Sequence, residues 1–212
     1  SDRTWVEINL DHLLHNYATM VELAVRGNPQ RPAKVMSVIK ANAYGHGAVR
    51  IARSLTEAGC AYLAVATIDE AIELRTSGIK TEILILNHVD PLQCADIIDN
   101  ELTQTVYSED FARCLSVKAV GAQKRVRIHI KVDTGMTRIG INTQEAKEII
   151  LRIARMRGLE IEGLFTHFAA SDDPQDSFTD LQFSRFMELA DLLKKSGLEI
   201  PLKHVCNSAA II

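Results

Sequence analysis

Short runs rich in β-branched and other apolar residues alternate along the chain with longer stretches whose apolar residues recur at helical spacing, the pattern of a parallel sheet wound with helices. After a brief initial run, TWVEI, the stretch from Asp11 to Arg26 sets Leu13, Leu14, Tyr17, Met20 and Val21 on one helical face. KVMSVIK (34–40) reads as a strand, and a glycine-containing turn leads from it into a helix that closes at Gly59. YLAVAT (62–67) is the next strand; Asp69 is placed to cap the helix after it and Gly78 to end that helix. EILILN (82–87), apolar on both faces, follows as a buried strand, and Asp90-Pro91 opens another helix. Strands at 104–107 and 126–132 flank a helix from Ser108 toward Gly121. Asn142 and Glu145 have the spacing of a capping box for a helix stopping at Gly158, and strands at 160–168 and 202–206 flank a helix over 179–197.

From Lys34 onward this makes seven strands joined by six helical connections. A doubly wound sheet tolerates seven strands, whereas a closed (β/α)8 barrel without its last strand leaves edges beside the first and the seventh. Lys40, Thr134, His167 and Asn207 fall at or just beyond C-terminal strand ends, where barrels and doubly wound sheets alike gather their sites. With 212 residues, 47% apolar and 24% charged, the chain has material for one sizeable core, and one domain is the expectation. A net charge of -3 without a long basic run gives no electrostatic footprint for nucleic acid or an anionic membrane, so small molecules or a second copy are the expected partners. The four cysteines stand singly, without zinc or redox spacing, which suits a reducing interior. No apolar run approaches the roughly 20 residues of a membrane span and the opening residues lack a signal-peptide pattern, so a cytoplasmic location is expected.

Lys40 sits at the end of an apolar strand, before a polar turn with two glycines, in VIKANAYGHG (38–47). Burying a charged lysine there is costly, so its pKa should fall and its free amine can attack an aldehyde to form a Schiff base. The plainer alternative is a lysine snorkelling out of a strand terminus. In KVDTGMTRIG (131–140), Lys131 and Arg138 both project near one mouth of a barrel, and their repulsion lowers the amine's pKa. A neutral Lys131 amine can take up carbon dioxide, and the resulting anionic carbamate can pair with Arg138. Arg138, a rigid multidentate donor, suits a carboxylate or a phenolic oxygen, with a surface salt bridge as its bland alternative. Ser208, with backbone N–H groups freed at a strand end, suits an anion, and Asn207 is next to it. No histidine or cysteine shows metal-ligand spacing, so no metal is expected.

VIKANAYGHG, KVDTGMTRIG, GLFTHF (163–168) and NSAA (207–210), in that order, together with TWVEINLDHLLHN at the start, resemble motifs of the alanine racemase family, pyridoxal-5'-phosphate (PLP) enzymes of fold type III. The resemblance covers essentially the whole chain and implies the N-terminal portion of a (β/α)8 TIM-like barrel. Residues 11–212 would form an incomplete PLP-binding barrel, and 1–10 a strand joining the sheet of a C-terminal β domain that lies, with the last barrel strand, outside this chain. The resemblance implies that Lys40 holds PLP and moves the substrate Cα proton on one face, that Tyr44 donates to the cofactor phosphate, and that His167 lies against the pyridine ring. It places Asn207 and Ser208 near the cofactor, Arg138 at the substrate carboxylate or the cofactor's phenolic oxygen, and a carbamylated lysine at Lys131. It also implies a head-to-tail homodimer in which a tyrosine of the partner's second domain serves the opposite face. The expected reaction interconverts L- and D-alanine for peptidoglycan precursors; the alternatives are a serine-acting or broad-specificity racemase and a non-catalytic single-barrel PLP-binding protein. A chain ending at Ile212 is expected to bind PLP weakly and to racemise poorly.

Overall fold

The computed structural model describes residues 4–27, 29–30, 32–173 and 175–212. The described residues up to Ile83, with Ile212, form one compact unit, and Leu84–Ile211 form another. Ser1–Arg3, the first part of the segment expected to join another sheet, lie outside the described residues. Thr4–Ile8 have no regular structure, and Trp5 and Val6 stand 80% and 82% exposed. TWVEI is therefore not a strand within this chain, because extended backbone forms a ladder only beside a partner, and the described residues supply none.

In the first unit, α1 (Leu10–Arg26) starts at Asn9, whose Oδ1 accepts the His12 N–H at 3.1 Å. β1 (Met36–Val38) and β2 (Tyr62–Val65) pair in parallel, with Ser37 opposite Leu63. Between them lie a single helical turn, α2 (Lys40–Tyr44), and α3 (Ala48–Glu57). α3 buries Ala48, Ile51, Ala52 and Leu55, the i, i+3, i+4, i+7 stripe of an amphipathic helix. α4 (Ile68–Thr76) follows β2 and is capped by Thr67 rather than Asp69. The Thr67 hydroxyl accepts the Glu70 N–H at 3.4 Å while Glu70 Oε2 accepts the Thr67 N–H at 3.2 Å, a reciprocal capping box. Asp69, inside the first turn, is left to favour the positive end of the helix dipole.

β3 (Glu82–Ile85) enters the second unit at Leu84. A 3-10 turn, Pro91–Gln93, capped by Asp90, leads into α5 (Cys94–Asp99), and β4 (Thr103–Val106), α6 (Glu109–Gly121) and β5 (Val126–Asp133) follow. Next come β6 (Ile141–Asn142), α7 (Thr143–Ile153), β7 (Leu159–Phe165), α8 (Phe178–Lys195), β8 (Leu202–His204) and α9 (Ser208–Ile211). The strands run parallel in the order β3-β4-β5-β7-β8, and β6 is a two-residue addition to the end of β5. Leu84, Ile128, Ile130, Ile97, Leu115, Ile150 and Phe186 are fully buried where strands and helices face one another. β4 is buried yet polar over Thr103, Gln104 and Thr105; Gln104 Nε2 is satisfied by the Asn87 and Thr105 carbonyls at 2.8 and 2.7 Å. β6 and α9 have no counterpart in the sequence pattern, since two and four residues carry no readable period.

Candidate active site

In the first unit β1 ends at Val38, and Lys40, half-buried, stands two residues past it at the head of α2. The φ angles of Ala41, Asn42, Ala43 and Tyr44 are +51°, +54°, +53° and +54°, so this turn is left-handed. For L-residues that hand costs roughly 1–2 kcal/mol each; asparagine tolerates it best, alanine and tyrosine poorly. The turn keeps its own i to i−4 bonds, Ala43 N–H to Ile39 O at 2.9 Å and Gly45 N–H to Ala41 O at 3.0 Å. It is also tied from outside: the Ala41 N–H donates to Glu70 Oε1 at 2.7 Å and the Ile39 N–H to Ala64 O at 2.8 Å. Asn42 Oδ1 accepts the Ala48 N–H at 2.7 Å, starting α3, and His46 Nδ1–H donates to Ala43 O at 2.7 Å. Tyr44, the expected phosphate ligand, belongs to the same turn and is 59% exposed.

In the second unit Lys131 lies inside β5, 5% exposed, with its Nζ 4.6 Å from the centre of the Phe165 ring. Burial first and Arg138 second lower its pKa to about 8, against the opposing pull of Asp133. Arg138 is on the exposed part of the loop that follows. Asp133 Oδ1 folds that loop by accepting the Gly135 and Thr137 N–H groups at 2.9 and 3.0 Å. At Gly140, with φ +136°, a Cβ would lie 2.6 Å from the Asp133 nitrogen, so the loop closes only on glycine.

Register between β5 and β7 is irregular at one point: Ile128 faces Ile161 and His129 faces Gly163, which leaves Glu162 as an extra residue. The irregularity directs Glu162 Oε2 to His129 Nε2 at 3.2 Å, while His129 Nδ1 meets His204 Nε2 at 2.9 Å. A carboxylate only accepts, so His129 donates to Glu162 through Nε2. Burial, with His129 and Lys131 nearby, holds the His204 pKa well below its ordinary value, so the ring is neutral. Its ring stacks on Phe165, centroids 4.5 Å apart and 9° from parallel. Across β5, β7 and β8 the register thus sets Lys131, Phe165 and His204 side by side.

His167, half-buried, follows β7 by two residues. Gln182 of α8, fully buried, holds that stretch: its Oε1 accepts the Ala169 N–H at 2.8 Å, and its Nε2 donates to His167 O at 3.0 Å and Thr134 Oγ1 at 3.2 Å. The ends of β5 and β7 are further joined by Thr134 and Thr166, whose hydroxyls are 2.8 Å apart. Asn207 starts α9; its Oδ1 accepts the Ala210 N–H at 3.0 Å and the Ser171 hydroxyl at 2.8 Å, and Ser208 beside it is exposed. The structure therefore joins Lys40 to Tyr44 in one turn, Lys131 to Arg138 electrostatically, and His167 to the β5 end through Gln182. Glu70, Gln182 and the pairing of His129 with His204 escape the sequence reading. Only Glu70 left a usable trace, the Thr67-x-x-Glu70 box spacing. Among the described residues no group of three or more His, Cys, Asp or Glu is arranged to hold a metal ion.

Residues 8–212 match the family model described as alanine racemase, N-terminal domain. The chain is 43% identical, over 99% of its length and 53% of the relative's, to alanine racemase 1 of Caldanaerobacter subterraneus subsp. tengcongensis. It is 42% identical, over 98% of its length and 55% of the relative's, to the alanine racemase of Desulforamulus reducens. The solved structure of the alanine racemase of Clostridium difficile 630 in complex with cycloserine superposes with a TM-score of 0.93 at 38% identity, covering 100% of this chain and 57% of that one. This likeness places the fold in the TIM-like (β/α) barrel class. The chain spans about half the length of the curated relatives it matches.

Proposed function

Because this chain belongs to the alanine racemase family, whose N-terminal domain it matches, we propose that the protein carrying it is a PLP-dependent racemase interconverting L- and D-alanine, with Lys40 holding the cofactor. The observation that carries the reading is the strained turn at Lys40: four consecutive left-handed residues persist only where the surroundings fix them, and such strain gathers at functional sites. The donor set suits PLP group by group. The first unit offers an amine for the aldehyde and the Tyr44 hydroxyl for the phosphate; the second, taken by itself, offers the Ser208 hydroxyl for a phosphate with Asn207 ordering the turn beside it, the His167 imidazole for the pyridine face, and Arg138 for a carboxylate or the phenolic oxygen.

When bound, PLP supplies the electron sink that makes the substrate Cα proton acidic. Lys40 then holds and returns that proton on one face. Arg138 orients the carboxylate, and Lys131, with a pKa lowered to about 8, is the amine suited to become a carbamate paired with Arg138. The opposite face, a second domain that residues 1–10 help to build, and the homodimer belong to the whole protein. No helix among the described residues is long and apolar enough to cross a membrane. We place the enzyme in the cytoplasm, supplying D-alanine for peptidoglycan.

The test is chiral analysis of the whole protein's products from L-alanine and L-serine, with borohydride trapping to map the cofactor. D-alanine should form faster than D-serine, with PLP fixed on Lys40, and Lys40→Ala should lower turnover by about a thousandfold or more. Faster D-serine formation would assign the serine-acting alternative. PLP fixed on Lys40 without racemisation would assign the non-catalytic binding protein, and PLP fixed elsewhere would refute the assignment of Lys40.

A further inference from the structure

Glu70 divides one carboxylate between two tasks. Oε2 accepts the Ala66 N–H at 2.7 Å and the Thr67 N–H at 3.2 Å, which starts α4. Oε1 accepts the Ala41 N–H at 2.7 Å, from a residue 29 positions earlier and next to Lys40. A capping box needs only the first of these. The second is a charge-assisted bond to the first residue of a left-handed run, where the backbone is most in need of an external partner.

We propose that Glu70 is a positioning residue for Lys40, holding the left-handed turn closed so that the lysine amine is presented from a fixed backbone. Its importance for cofactor capture rests on the reading of Lys40 given above; the tether itself does not. Without Oε1 the turn keeps its inner bonds but faces its unfavourable hand with the exposed Ala41 N–H left to water, and the alternative is for Ala41 to leave that conformation. Lys40 would then sample many orientations, and capture of an aldehyde would lose the advantage of a pre-set geometry.

Glu70→Gln tests this at constant size. The amide has a single oxygen, so it can serve the α4 start or Ala41 but not both. Thr67→Ala is the control, since it weakens the same helix cap and leaves both Glu70 oxygens in place. PLP at subsaturating concentration, trapped with borohydride and mapped to Lys40, should fall about tenfold in Glu70→Gln and less than about twofold in Thr67→Ala. Equal losses in the two variants would overturn the proposal, because the carboxylate would then matter only as a cap. Amide exchange supplies a readout that needs no cofactor and no variant that folds poorly. The Ala41 amide should be protected in the unmutated protein and in Thr67→Ala, and should exchange faster in Glu70→Gln. Free exchange at Ala41 in the unmutated protein, or unchanged protection in Glu70→Gln, would overturn it equally. If the unmutated protein captures no PLP at Lys40, the cofactor reading fails while the exchange result still decides the tether.

Discussion

Lys131 is a lysine kept where its charged form is disfavoured, first by burial and second by Arg138, so its pKa falls from 10.5 to about 8. In the unfolded chain it keeps the ordinary value and binds its proton up to higher pH. Between about pH 8 and 10.5 the unfolded state therefore holds more of this lysine's proton, and the contribution of Lys131 to stability rises with pH across that window, by on the order of 3 kcal/mol in full. Below pH 8 both states are protonated and the penalty is fully present. Urea unfolding of the unmutated protein and Lys131→Met at both ends of the window should show the unmutated protein gaining stability relative to Lys131→Met as pH rises; parallel curves would refute the low pKa. Arg138→Leu should remove the smaller share, since burial is the larger cause. This pair was legible beforehand because both cations lie in one short segment that runs from the end of one strand into the loop after it. Glu70 and Gln182 were not, since a polar helix residue shows nothing of a partner on a distant loop.

Elements were legible in proportion to their own periodicity. α1, α6 and α7 start within a residue or two of where apolar spacing and caps set them, and α3 ends two residues before the Gly59 expected to close it, whereas α7 stops at Ile153, short of Gly158. Strand bounds were read too long, 34–40 against Met36–Val38 and 160–168 against Leu159–Phe165, because a strand ends where its ladder partner ends and not where its apolar residues do. The irregular step in β7 had no sequence mark beyond Gly163. That glycine is needed for space: a Cβ there would lie 2.5 Å from the His129 ring. Gly163→Ala should lower stability by roughly 1–3 kcal/mol through overpacking, and it should shift the imidazole resonances of His129 and His204 as their hydrogen bond is disturbed. A neutral result in both thermal melting and the histidine spectra would mean that the strand is more yielding than its register indicates.

At the scale of the molecule, the alternation of strands and helices in the chain was readable as a β/α architecture, and the solved relative fixes the choice of a barrel over a doubly wound sheet. Ligand linkage supplies a prediction here: free PLP at a hundredfold its dissociation constant should stabilise the whole protein by about 2.7 kcal/mol. The gain should be seen as a higher Tm and be largely lost in Lys40→Ala; an equal gain in that variant would place the cofactor on another anchor. The left-handed turn also orders events in time. Its hand is unfavourable in a chain that has nothing else around it, and its outside tether is a carboxylate 29 residues downstream. On the proposed reading of Lys40, the turn should stay open during synthesis until α4 has left the ribosome, and nascent chains cut short before Glu70 should capture PLP poorly.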